Sequence, residues 1–333
     1  MTAMSPIRSD SHVQRLWVAT RRFRPVLVLD VFMFAFFSLT SKYFLTSANL
    51  TNLLTDISIT WLIALGMTFV ILAGGFDLSA GAVATVTSIA LATLLVNGVP
   101  GWLAILLTIL AGIVLGGVLN GLLVGRLKLS VFVVTLASMT ALTGVAVLWT
   151  GSSTLPVTDD AVRFIVATRL GGIPVVVWLM LLSFVAFVIV QDRTQFGRNI
   201  YAVGGSRKAA ELSGIRTDRV LFLVYAVLGG MAAIGGVIAA GRIGGAAPQV
   251  DHAIALQAIA AVLIGGASLS GGAGSVWGTF FGMLFVGLLQ NGLSLMGVDV
   301  AWQQVITGVI LVAAVLADQL RGPRFRKRPR SST

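Results

Sequence analysis

The sequence predicts an all-α integral membrane protein of about ten transmembrane helices, with both termini cytoplasmic. Three observations lead there. Hydrophobic residues make up 57% of the 333 and charged residues only 11%, whereas soluble domains carry about 25% charged residues. Apolar runs of roughly 17–23 residues, the length that crosses about 30 Å of hydrocarbon as a helix, recur along the chain. With the amino terminus placed inside, 19 of the 23 Lys and Arg residues fall in inside segments, and only Lys42, Arg163, Arg169 and Arg242 fall outside. Such a bias is the positive-inside rule, so the net charge of +11 reports topology and implies no nucleic-acid partner.

The runs follow one another as parity requires. Val26–Phe44 follows a basic cytoplasmic segment, residues 1–25. Thr46-Ser47-Ala48 after it is a passable cleavage site, but the run is long and the ten-span parity needs it, so it reads as a retained signal anchor. Ile57–Ala73 and Leu78–Val96 flank a glycine-rich turn, and Trp102–Val124 and Val131–Thr150 enclose the inside residues Arg126 and Lys128. An outer loop, Gly151–Gly172, leads to Ile173–Val190; an inner loop, residues 191–219, leads to Val220–Ala240. The outer stretch Gly241–His252 precedes Ala253–Leu269, Ser275–Met296 and Val300–Ala317. Residues 26–318 thus read as one membrane domain, and residues 319–333 as a basic tail at the cytoplasmic lipid surface.

Gly74–Gly81 and Gly265–Gly272 share a GG-x-x-LS-x-G frame. Paired glycines break or turn a membrane helix, and irregular backbone at membrane depth is tolerated only against protein or water. Two readings stay open: broken helices lining a translocation route, or tight turns with Ser79 and Ser270 capping the next helix. Gly112/Gly116, Gly117/Gly121/Gly125 and Gly278/Gly282 repeat at four-residue spacing, which lets helix backbones approach closely.

Candidate route residues are Gly74, Gly75, Asp77, Ser79, Asn120, Gln257, Gly265, Gly266 and Asn291. Asp77 is an ionisable group near membrane depth, functional by default, or else a helix cap. The amides either join helices or bind a hydroxylated solute. The absences narrow the class. The spans hold no relay of acids, histidines or lysines of the kind ion-coupled carriers use. There is no G-x-x-x-x-G-K-[ST] loop, no G-x-S-x-G elbow and no H-E-x-x-H pair, so neither a nucleotide site nor an enzyme is predicted. No cysteine is present, and with only His12 and His252 neither a disulfide nor a metal site is expected. A transporter so equipped takes its energy from a partner. The inner loop offers a docking point: Ser206–Gly214 reads as a short helix with Ser206 as cap and Gly214 in the left-handed terminal position.

From about Ala48 to Asp318 the sequence resembles the membrane permeases of the ribose/xylose/autoinducer-2 group of bacterial ABC importers. The motifs are GGFDLSAG at Gly74–Gly81, TQFGRNIY at Thr194–Tyr201, AVGGSRKAAELSGI at Ala202–Ile215, AIAAVLIGGASLSGGAG at Ala258–Gly274, and Asn291-Gly292-Leu293. Ala255-Leu256 stands where the family often has Glu-Leu, and Ser206 where an Asn is common. The resemblance implies a cytoplasmic-membrane permease for a monosaccharide or related polyol, with no catalytic residue and no cofactor of its own. Its expected partners are a second permease subunit, an ATP-binding protein (often fused as one twin-domain chain) carrying ATP and Mg, and an extracytoplasmic sugar-binding protein. It further implies that Gly197, Arg198, Ala209, Ala210, Glu211 and Gly214 belong to the ATPase-coupling loop. Branched-chain amino-acid permeases share part of the pattern, and an ion-coupled carrier is the rival of another class.

Overall fold

The computed structural model describes residues 24–321. The chain is an all-α membrane protein. Its helices are α1 (Arg24–Thr40), α2 (Ser47–Leu72), α3 (Ala80–Val96), α4 (Gly101–Gly125), α5 (Val131–Thr150), α6 (Asp160–Ala167), α7 (Val175–Arg193), α8 (Gln195–Gly205), α9 (Arg207–Leu212), α10 (Thr217–Ile243), α11 (His252–Ile264), α12 (Val276–Leu295) and α13 (Val300–Arg321). Six of them, α2, α4, α5, α7, α10 and α12, are long and apolar enough to cross a membrane. Ala80–Val96, His252–Ile264 and Val300–Leu316 are shorter apolar helices. The basic segments at 1–25 and 319–333 lie largely outside the described residues.

α10 is the mast of the bundle. It is 27 residues long and packs on α2, α3 and α4. Membrane helices gain no hydrophobic drive from one another in lipid, so close van der Waals contact has to hold them. Small residues make that contact. A Cβ on Gly229 would overlap the carbonyl oxygen of Gly112, one on Gly236 that of Ala84, and one on Gly121 would lie 2.8 Å from Phe222 Cα. The four-residue glycine spacing of α4 is therefore the seam with α10. Gly278 and Gly282 do the same for α12 against α11 at Gly265 and Ala261. Elsewhere, aromatic rings fill the gaps: Trp61 of α2, Phe184 of α7 and Trp277 and Phe280 of α12 form a cluster with edge-on contacts at 4.9–5.5 Å, a favoured ring geometry.

Several sequence expectations are corrected. α2 starts ten residues before Ile57, because Thr46 caps it by accepting from Asn49 N. α11 ends at Ile264, five residues before Leu269. The loops 151–172 and 191–219 are not bare. Asp159 caps α6, and Thr194 caps α8 through Gly197 N; both helices are amphipathic and lack the long apolar run that marks a span. Two-residue strands, β1 (Leu155–Pro156) and β4 (Gly245–Ala246), pair antiparallel and tie the 151–172 loop to the 241–252 stretch; β2 (Arg169–Leu170) pairs likewise with β3 (Ile173–Pro174). Ser270 caps nothing: Ser275 caps α12 by accepting from Gly278 N at 3.0 Å. Ser275→Ala should lower stability by about 1 kcal/mol, the scale of a lost N-cap. A detergent melting curve identical to the parent would contradict it.

Candidate functional site

The GG frames end their helices in the same way, but one residue out of the register read from the sequence. Gly74 N bonds to Ile71 O and Gly75 N to Val70 O; Gly266 N bonds to Leu263 O and Ala267 N to Val262 O. Each is a Schellman close, with Gly74 (φ +86°) and Gly266 (φ +90°) in the left-handed position that glycine takes without strain. Structurally Gly74 matches Gly266, so Asp77 has no acidic counterpart in the second loop.

After that turn the chain doubles back into protein. Asp77 is 2% exposed. One carboxylate oxygen accepts from Ser79 N (2.7 Å) and Ser79 Oγ (2.6 Å); the other accepts from Asn120 Nδ2 at 2.8 Å. Asn120 Nδ2 also donates to Ser79 Oγ, and Asn120 Oδ1 accepts from Ser138 Oγ at 2.7 Å. The cluster joins the α2–α3 turn, α4 and α5. Asn120 reaches it because Gly116–Leu122 of α4 winds as a π-helix, a form common at functional sites. Tyr225 of α10, fully buried, donates to Phe76 O at 3.1 Å beside it. Among the described residues Asp77 has no ion-pair partner. Ser79 stands at the N-cap of α3 without bonding a helix N–H; the carboxylate of Asp77 engages its N–H and hydroxyl instead.

A second face is built on α8 and α9. Ile200 and Val203 bury α8, and Gly197 lets it pass the last carbonyls of α7. Arg198 is exposed and bonds Gln195 within its own turn. Ser206 caps α9 by accepting from Ala209 N, and Gly214 follows with φ +80°, as the sequence indicated. Ala210 is buried, Ala209 is exposed, and Leu212 stands 82% exposed. The exposed Glu211 accepts from Thr217 Oγ1 at 2.8 Å. That bond, aided by the charges of Lys128 and Arg207, holds its carboxyl below the usual carboxylate range. The stitch is accordingly present above that range and lost as pH falls through the depressed value.

The two faces touch through glycine. A Cβ on Gly204 would overlap Leu72 O. Gly271 abuts Gly74, Gly272 abuts Gly205, and Gly272 N donates to Leu72 O at 2.9 Å. Tyr201 Oη donates to Gly274 O, and Val276 N to Oε1 of the buried Gln191 at 2.7 Å. The predicted residues Gly74, Gly75, Asp77, Ser79 and Asn120 are thus together. Gly265 and Gly266 close α11, whose loop completes the seam. Gln257 is half-buried on α11 without a hydrogen bond among the described residues. Asn291 stands apart, paired reciprocally with Asn49 at 2.9 and 3.0 Å, roughly 35 Å along α2 from the Asp77 turn at 1.5 Å per residue. Sequence reading missed Ser138, Tyr225, Gln191, Arg207 and Leu212. An apolar side chain at the tip of a charged helix was the available signal for Leu212; hydroxyls within apolar runs gave none.

The family model described as branched-chain amino acid transport system, permease component, matches residues 49–315. The chain belongs to that family. The permease is 42% identical to the ribose import permease protein RbsC of Bacillus subtilis (strain 168) over 85% of its length and 88% of the relative's. It is 36% identical to the RbsC protein of Haemophilus influenzae over 95% and 98%, and 32% identical to the fructose import permease protein FrcC of Rhizobium meliloti over 89% and 84%. No solved structure matches the permease.

Proposed function

We propose that this chain is the membrane-spanning subunit of an ABC importer for a monosaccharide or related polyol. The single observation carrying it is similarity to ribose import permeases over nearly the whole of both chains. The family's description mentions branched-chain amino acids, but the full-length relatives are named for ribose, allose and fructose, which favours a sugar. The chain crosses the cytoplasmic membrane ten times with both termini inside. It pairs with a second permease copy, receives solute from an extracytoplasmic binding protein, and takes energy from a partner that binds ATP and Mg. The α8–α9 face, with Gly197, Arg198, Ala209, Ala210, Glu211 and Gly214, docks that partner, and the exposure of Leu212 supports this. Gly74, Gly75, Gly265 and Gly266 border the route, Asp77, Ser79 and Asn120 set their position, and Gln257 and Asn291 offer amides farther along it.

The test is uptake of labelled pentoses, hexoses and branched-chain amino acids by vesicles holding the permease with its ATPase and binding protein. Sugar uptake that needs ATP and survives a protonophore is expected. Uptake indifferent to ATP and abolished by the protonophore would transfer the chain to the secondary carriers.

A further inference from the structure

The docking face carries six basic residues, Arg193, Arg198, Arg207, Lys208, Arg216 and Arg219. Of these six, among the described residues, only Arg207 uses its side chain to hydrogen-bond outside residues 191–219. It opens α9, and its side chain, 30% exposed, turns inward. Nε lies 3.4 Å from both Glu211 Oε1 and Thr217 Oγ1. Nη1 donates to Val124 O at 3.4 Å and Nη2 to Gly125 O. Those are the last carbonyls of α4, which a helix end leaves without intrahelical partners, and a cation there also meets the negative end of the helix dipole. The carbonyls just before them, of Leu122 and Leu123, are already taken by Arg126, Leu127 and Leu129 N–H groups.

The same helix end leads straight to the buried cluster. Gly125 is five residues from Asn120, roughly 7.5 Å along the axis, and Asn120 holds Asp77, Ser79 and Ser138. A displacement of α9 therefore reaches the Asp77 turn through one charged fork and a short length of helix. The other link, through α8, runs by a longer route: Tyr201 bonds Gly274 O, and the same loop bonds Leu72 O through Gly272 N.

We propose that Arg207 is a positioning residue that transmits movement of the α9 docking helix to α4, and through Asn120 to the Asp77 turn. This rests on the importer reading above. Its planar fork grips two successive carbonyls at once, which a lysine, a single point charge, cannot do.

The experiment uses the full complex of permease, ATPase and binding protein in proteoliposomes, supplied with the labelled sugar that the parental complex takes up. Three quantities are read: ATPase retained per permease, ATP hydrolysed, and sugar imported per ATP. Arg207→Ala is expected to keep the ATPase bound and hydrolysing, while sugar per ATP falls on the order of tenfold, the scale of a lost charged hydrogen-bond pair. Arg207→Lys should recover part of it. Combined with Asn120→Ala, Arg207→Ala should add little to the loss, as two points on one path behave. An unchanged ratio, or losses that add in the double variant, would overturn the proposal. Loss of bound ATPase would overturn it too, by making Arg207 part of the docking surface. If Arg207→Ala does not accumulate, Arg207→Gln is measured instead, and a parental ratio there is decisive against it. Failure of the importer reading would look different: Glu211 and Gly214 variants, and the parent itself, would then import without need of ATP.

Discussion

Gly229→Val should yield almost no folded permease. Gly229 sits mid-way along α10, where a Cβ would overlap Gly112 O and lie 3.0 Å from Gly116 Cα. Neither obstacle is a flexible side chain that could step aside; both are backbone of α4. To admit valine the two helices must separate, and that opens the seam from Gly112 down to Gly125. It also draws Asn120 away from Asp77. Overpacking of this kind costs on the order of 3 kcal/mol or more, a large part of the stability of most proteins. Gly144→Val on α5, where nothing lies within 4 Å of the added Cβ, should stay within about 0.5 kcal/mol of the parent. Size-exclusion profiles and melting curves in detergent decide between them. Equal yields and melting points for the two would show that α4 and α10 do not pack this way.

Asp77→Asn should leave a folded protein that transports on the order of tenfold less, the scale of a lost charged hydrogen bond. Asparagine keeps one oxygen for Ser79, but its amide group then confronts the amide of Asn120, a donor facing a donor. Asn120 cannot simply turn over, since its oxygen is engaged by Ser138. Buried donors without acceptors cost about 1–3 kcal/mol each, and the strain falls on the turn between α2 and α3. Exchanging the pair, Asp77→Asn with Asn120→Asp, restores donor against acceptor and should recover much of the uptake. Normal uptake by the single variant would reduce Asp77 to a helix-start residue of no mechanical importance.

The apolar runs located every long helix, since burial in lipid demands length and hydropathy, and α5 matched its run end to end. The α9 helix was legible because its signals, Ser206 and Gly214, are local. The helices α6 and α8 were not, for amphipathic segments of 8 and 11 residues resemble polar loops when read for hydropathy. The echo between the two glycine frames was real but misregistered: its identity came from matching letters, whereas Ala73 and Gly265 occupy equivalent helix-end positions. Asn120 and Asp77 were each suspected, yet their pairing was hidden. It spans 43 residues and depends on a local change of helical winding that composition does not announce. Arg207 was counted as one of many inside cations because the partners it finds are carbonyl oxygens, which every residue has.

The π-helical turn at Gly116–Leu122 has a consequence for how this gene can change. A π turn holds about one residue more than the α turn it replaces. Deleting any one residue there would let α4 close as an ordinary helix, with every hydrogen bond kept and no apolar face exposed. The flanking stretches would keep their register, because the π turn already absorbs the extra residue; only the residues inside the turn would face elsewhere. Asn120 lies inside the turn, so its reach to Asp77 is what such a deletion would lose, while the Arg207-bound carbonyls beyond the turn stay in place. A gene shortened by one codon here could thus keep its fold and its grip on the docking helix and still lose the link to the Asp77 turn.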